Sequence, residues 1–245
     1  MKRHVEIESR GKILRGYLEL PDVLPEGGKA PLVMMLHGFS GDRCERHFFL
    51  ARLSRHLVAQ GVGTLRVDTA GSGESDGEFC DMTPRTRMED AFAILDFAMA
   101  QEQVDSSRIM LLGYSNGGFV SANVAARRRD DVSRLVLVSA SCRSHKAMEE
   151  AKRDTGMPAR GSLVVSDKFI ADGYELDSIE AAARYDRPVT IIQGTADVNV
   201  LPSAAKLYAE TFENCELQLV EGADHAYDTP EYFARLCDLV SAAVL

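Results

Sequence analysis

Between residues 108 and 118 an apolar, strand-forming run stops abruptly in Gly113-Tyr114-Ser115-Asn116-Gly117, and helix-compatible residues follow. A strand that turns this sharply into a helix lifts one side chain, Ser115, above the end of a sheet on a strained backbone. Gly113 and Gly117 flank it because side chains there would strike the neighbouring strand and helix. The Ser115 hydroxyl then stands at a helix N-terminus, where first-turn N–H groups favour developing negative charge.

The rest of the chain supplies the matching frame. Residues 5–9 and 13–20 read as two strands joined by a tight turn at Arg10-Gly11-Lys12, followed by a Pro- and Gly-rich loop over 21–31. Continuous apolar runs at 31–36 and 62–67 are those of strands covered on both faces. A helix is expected over 46–59, with Phe49, Leu50, Leu53 and Leu57 on one stripe, and another over 83–101, with Ala91, Ile94, Leu95 and Ala98 inward. After the Ser115 turn come a helix to about residue 128 and a strand at 134–139. The rhythm resumes with strands at 189–193 and 217–220 and helices at 202–212 and 230–244. Strand–helix alternation of this kind means a mostly parallel, twisted sheet with helices on both faces. Residues 1–245 are therefore expected to form one α/β domain. Residues 142–184 break the pattern: a short helical piece at 146–153 precedes a Gly/Pro-punctuated stretch through Phe169 and Ile170.

Charge and cysteine usage narrow the function classes. A net charge of −9 with acids and bases interspersed lacks the basic face that nucleic acid requires. Arg127-Arg128-Arg129 falls where a helix ends and complements its dipole. No leader-like or bilayer-length apolar run occurs, so no membrane is expected. Five scattered cysteines without Cys-x-x-Cys spacing read as reduced thiols of a cytoplasmic protein, with no metal site.

A serine hydroxyl needs a base, and the base an orienting acid. Of six histidines, His225 follows the last strand in a loop at the carboxyl edge of the sheet, the edge that carries Ser115. Asp197, in Gly194-Thr195-Ala196-Asp197, follows a strand at the same edge, and the order Ser115, Asp197, His225 suits this architecture. Asp224 and Asp228 are rivals by proximity in the chain, but an adjacent residue is poorly placed to reach the far nitrogen of the ring. Two backbone donors are expected at an oxyanion: Asn116, directly after the serine, and Phe39, in the loop after the strand at 31–36. His37 braces that loop and is counted, with Tyr114, among the residues at the substrate.

With these residues in view, the chain resembles the α/β-hydrolases over nearly its full length, and within them the cinnamoyl/feruloyl esterase branch. The motifs that carry the likeness are His37-Gly38-Phe39-Ser40-Gly41-Asp42-Arg43, the run from Asp68 to Phe79 with Met82-Thr83 after it, Gly113-Tyr114-Ser115-Asn116-Gly117-Gly118, Gly194-Thr195-Ala196-Asp197 and Val220-Glu221-Gly222-Ala223-Asp224-His225. That branch usually carries His and Gln around its serine, where this chain has Tyr114 and Asn116. The resemblance implies a serine esterase that works without metal or organic cofactor, with Ser115 as nucleophile, His225 as base, Asp197 as acid, and Phe39 and Asn116 as oxyanion donors. Residues 142–184 correspond to the lid of that branch and are expected to cover the acyl pocket. Phe169, Ile170 and Tyr174 either line it or form the core of a small subdomain, since pockets and cores use the same apolar residue types. The expected partner is a small-molecule ester, hydroxycinnamoyl or another small aryl or acyl ester, and a homodimer is left open. Short-chain esters, monoacylglycerols, thioesters and small peptides suit the same triad, and a non-catalytic ligand-binding protein suits the same fold.

Overall fold

A computed structural model describes residues 1–24 and 28–245; the part of the expected 21–31 loop at 25–27 lies outside the described residues. In chain order the elements are β1 (Lys2–Ser9), β2 (Lys12–Glu19), β3 (Ala30–Leu36), α1 (Phe49–Val58), β4 (Gly63–Val67), α2 (Pro84–Met99), β5 (Val104–Tyr114), α3 (Asn116–Arg127) and β6 (Arg134–Val138). There follow α4 (Ser144–Thr155), β7 (Ala159–Arg160), β8 (Leu163–Val164), α5 (Lys168–Glu175), α6 (Ser178–Ala182), β9 (Val189–Gly194), α7 (Pro202–Thr211), β10 (Cys215–Val220) and α8 (Pro230–Val244). Among the described residues, eight strands form one sheet in the order β1-β2-β4-β3-β5-β6-β9-β10. The pairs β1/β2 and β2/β4 are antiparallel, and every pair from β4 to β10 is parallel. This is the α/β-hydrolase fold.

The apolar runs are continuous because alternate residues of each strand face opposite layers. Leu32, Met34 and Leu36 of β3 join Leu111 of β5 and Leu137 of β6 beneath α2 and α3. Val33 and Met35, with Leu112 and Val138, face the other way, against α1 and α8. A smaller cluster of Met82, Met148, Val165 and Phe169 lies apart, at the segment inserted between β6 and β9.

Two local expectations are corrected. The helix expected from residue 46 starts at Phe49. Arg46–Phe48 form a 3₁₀ turn instead; Glu45, just before it, and His47 and Phe48 within it take positive φ angles of 59°, 54° and 57°. Side-chain tethers outweigh helix propensity there: Asp42 Oδ1 accepts from the Cys44 and Glu45 N–H groups, and the Glu45 carboxylate accepts from Gly38 N–H. The Gly-punctuated stretch around Phe169 forms α5. Gly173 costs α5 some propensity but lets it pack against α4, since a Cβ there would lie 2.2 Å from the Cβ of His145.

Candidate active site

β3 and β4 wind toward one edge of the sheet and β5 onward toward the other, so the chain reverses direction beside β3. Crevices open at the carboxyl ends of strands at such a point. Ser115 stands there, directly after β5, with φ 53° and ψ −120°. The strained turn is clamped on both sides. Ser115 N–H donates to Val138 O at 3.0 Å, and its carbonyl accepts from Gly118 and Ser141 N–H at 3.0 and 2.9 Å. A Cβ on residue 117 would sit 2.1 Å from the Leu36 carbonyl oxygen, so only glycine lets α3 leave the sheet at this angle.

The structure brings Ser115, His225 and Asp197 into one hydrogen-bonded line. His225 Nε2 lies 3.1 Å from Ser115 Oγ, and its Nδ1 lies 2.7 Å from Asp197 Oδ2. The carboxylate acceptor places the ring proton on Nδ1, leaving Nε2 to accept from the serine hydroxyl. The Asp197 side chain is buried. It also accepts from Gln193 Nε2 at 3.0 Å and from the Asn199 and Val200 N–H groups at 2.9 and 2.8 Å. Burial by itself raises this carboxyl, but its bonds to His225, Val200 and Gln193 outweigh that and hold it below the ordinary Asp value. The rival carboxylates are engaged elsewhere: Asp224 Oδ1 accepts from Asp228 N–H, and Asp228 pairs with His47 at 2.9 Å and Arg46 at 3.3 Å.

Around the line lies a cavity of about 720 Å³, walled in part by Phe39, Tyr114, Asn116, Met148 and Phe169. Tyr114 packs against the His225 ring, centroids 5.2 Å apart, and its hydroxyl donates to the His225 carbonyl at 3.3 Å. Phe39 meets Phe169 and Phe79 edge-on at 5.2 and 5.3 Å. Three residues expected at the substrate are not on this wall. His37 is fully buried: Thr69 N–H donates to its Nε2 at 3.1 Å, so its Nδ1–H donates to Gly38 O at 3.0 Å. Burial, with the nearby Arg87 charge, pushes this imidazole down to about 3, so it is neutral at working pH. Ile170 packs behind Phe169 in the small apolar cluster. Tyr174 is half exposed, meets the His145 ring at a tilt with centroids 4.4 Å apart, and donates its hydroxyl to Glu149 at 2.6 Å.

Several residues at the cavity escaped sequence reasoning. Met148, Val198, Val200 and Arg160 line it, yet nothing in their spacing sets them apart from ordinary helix and loop positions. Glu45 also borders it, and burial raises its carboxyl above the usual Glu value. Arg87 had a legible signal: it sits four residues before Ala91, on the inward stripe of α2, where a charge is out of place. Among the described residues no group of His, Cys, Asp or Glu is arranged to hold a metal ion, and no helix is long and apolar enough to cross a membrane.

An elbow serine, a histidine and a buried carboxylate at the switch point of a mostly parallel sheet define a hydrolase of the α/β class. The chain belongs to the Hydrolase_4 family, described as serine aminopeptidase, S33, whose model matches residues 28–168, more than half of its length. It is 26% identical over 241 residues to the 31.7 kDa protein in the traX-finO intergenic region of Escherichia coli, covering 89% of this chain and 81% of that one. Among solved structures, Est1E from Butyrivibrio proteoclasticus with ferulic acid bound superposes with a TM-score of 0.85 and 26% identity, covering 97% of this chain and 96% of the other. The esterase domain of a Rhodothermus marinus protein, at 19% identity over 99% and 97% of the two chains, shares the fold with a TM-score of 0.76. The chain is thus a hydrolase of the α/β class, and Est1E is among the solved structures it resembles.

Proposed function

We propose that this protein hydrolyses carboxylic esters through an acyl-enzyme, with Ser115 as nucleophile, His225 as general base and acid, and Asp197 as the residue that orients the imidazole. The observation that carries the reading is the continuous hydrogen-bonded line from Asp197 through His225 to a serine held on a strained turn at the cavity wall. Ser115 Oγ bonds to the ester carbonyl carbon as its proton passes to His225 Nε2, and Asp197 stabilises the imidazolium. The carbonyl π pair moves onto oxygen, which the Phe39 and Asn116 N–H groups receive. On collapse the C–O bond to the alcohol breaks and His225 Nε2 protonates the leaving oxygen. Water then repeats the sequence on the acyl-enzyme and releases the acid.

The substrates favoured are hydroxycinnamoyl and other small aryl or acyl esters. Phe39, Tyr114, Met148 and Phe169 give an aromatic and thioether wall that suits a planar acyl group, and the Est1E relative was solved with ferulic acid. Residues 142–184, which bring Met148 and Phe169 to that wall, act as a lid over the acyl group. A peptidase reading draws support from the family description, serine aminopeptidase. One screen separates the two: methyl ferulate, p-nitrophenyl esters and aminoacyl anilides, with Ser115→Ala as blank and a fluorophosphonate label on both forms. Turnover of the aryl esters and labelling are expected to vanish in the variant, a fall of at least about 10⁴-fold in kcat. Ester turnover at the parent rate in a folded Ser115→Ala protein would refute the assignment, and anilides cleaved in preference to esters would favour the peptidase.

A further inference from the structure

Beneath the two loops expected to meet an oxyanion lies a charge that this reaction scheme does not use. Arg87 is only 1% exposed. Its hydrogen bonds run to neutral oxygens: Nη2 donates to His37 O at 2.6 Å, and Nη1 donates to Gly38 O at 3.4 Å and to the Asn116 carboxamide oxygen. Its Nε has no partner among the described residues. The carboxylates that feel its charge, Glu45 and Asp90, bond elsewhere, to Gly38 N–H and to Ser9, Arg10 and Ala70 N–H. A guanidinium buried without a bonded counter-ion is expensive to keep, so its position calls for a use.

The geometry shows what it holds. In a trans peptide the C=O and N–H point in opposite directions. Gly38 O is the carbonyl of the peptide whose N–H belongs to Phe39. Arg87 and the His37 Nδ1–H both donate to this oxygen, and Glu45 Oε1 accepts from the N–H of the preceding peptide, that of Gly38, at 2.5 Å. The peptide is therefore tethered next to Ser115: a Cβ on Gly38 would lie 3.2 Å from the Ser115 Cβ. The same Nη1 grips the side chain of Asn116, whose own N–H is the other donor. A donor on the carbonyl also polarises its peptide and strengthens the N–H on the far side.

We infer that Arg87 is a positioning residue for the oxyanion: one planar fork fixes the Gly38–Phe39 peptide and residue 116 together, with its positive charge behind both donors. The inference rests on the serine-hydrolase reading above. It is tested with Arg87→Met, Arg87→Lys and Asn116→Ala, each checked for folding by circular dichroism. The measurements are kcat and KM on one aryl ester, affinity for an aryl boronic acid that forms a tetrahedral adduct on serine, and affinity for the product acid. Arg87→Met is expected to lower kcat and boronate affinity together by about 10²–10³-fold, the scale of an oxyanion donor, with KM and product affinity within about threefold. Arg87→Lys, which keeps the charge but not the fork, should recover part of that loss. Asn116→Ala keeps the backbone N–H and should lose about tenfold in kcat, and adding it to Arg87→Met should cost little more, because both cut one tether. Folded variants with kcat within about threefold of the parent, or with product affinity falling as far as boronate affinity, would overturn the inference. If Arg87→Met does not fold, Arg87→Lys and Asn116→Ala decide by the same criteria. Failure of the parent protein to take a fluorophosphonate label would instead overturn the serine-hydrolase reading, so the two failures are told apart.

Discussion

Acidification should weaken this fold in large part through one fully buried imidazole, that of His37. In the folded chain the ring is fully buried and pushed down from 6.5 to about 3, by burial first and by Arg87 second. Between those values the unfolded chain binds a proton that the folded chain refuses. The stabilisation from a neutral His37 is therefore complete above pH 6.5 and is lost as pH falls toward 3, at roughly 1.36 kcal/mol per pH unit. The full drop corresponds to about 5 kcal/mol, a large share of the 5–15 kcal/mol typical of a folded domain. His37→Gln is the reference, since its amide oxygen can still accept from Thr69 N–H and does not titrate. Urea unfolding of both proteins at pH 7, 6 and 5 isolates the imidazole, because the buried carboxylates titrate alike in each. The parent should lose about 2 kcal/mol more than the variant between pH 7 and pH 5. Curves that stay parallel within about 0.5 kcal/mol would mean that the ring takes up its proton in the folded state and that the burial argument is wrong.

Two further outcomes follow from the site. Asp197→Asn keeps the shape of the acid but no longer favours the productive His225 tautomer. It should reduce kcat by about 10⁴-fold with little change in KM, and a loss under about tenfold would show that the carboxylate is not the orienting group. Phe169→Leu should move the ratio of kcat/KM for methyl ferulate over p-nitrophenyl butyrate by about tenfold or more, whereas Tyr174→Ala, whose hydroxyl faces Glu149, should leave it unchanged. Equal effects from the two would refute the division of this segment into wall and outer surface.

Ser115, Asp197 and His225 were legible because each follows a strand, and chemistry in a parallel sheet gathers where strands end. Alternation of strands and helices was legible for the same reason, since runs buried on both faces carry no polar interruptions. The inserted segment was harder. Its apolar residues have no sheet to define an inside, so Phe169, Ile170 and Tyr174 read alike, although one meets the cavity, one packs behind it and one faces outward. The turn at Glu45 to Phe48 was hidden because its cause is a carboxylate reaching seven residues back to Gly38. Arg87 could have been found by asking why a charge occupies an inward position, but the pattern does not say which neutral oxygens would receive it.

The hardest placement in this architecture is that of His225. β10 lies three strands from β5 in the sheet order, and at about 4.8 Å per strand the chain that leads to His225 leaves the sheet roughly 14 Å from the strand that carries Ser115. The loop after β10 has to run back across the ends of β9 and β6. Its crossing of β9 is close: a Cβ on Gly194 would lie 2.3 Å from Ala223 O, and Ala196 N–H donates to that same oxygen at 3.0 Å. Past that crossing, the His225 carbonyl is caught by two hydroxyls, Ser139 Oγ at 3.2 Å and Tyr114 at 3.3 Å. Both donors follow from the elements already bridged, since Tyr114 ends β5 and Ser139 comes directly after β6. Tyr114 therefore packs on the imidazole and anchors its backbone at once. A His at that position, as the feruloyl esterase branch usually carries, would need another way to hold the base loop in reach of the serine.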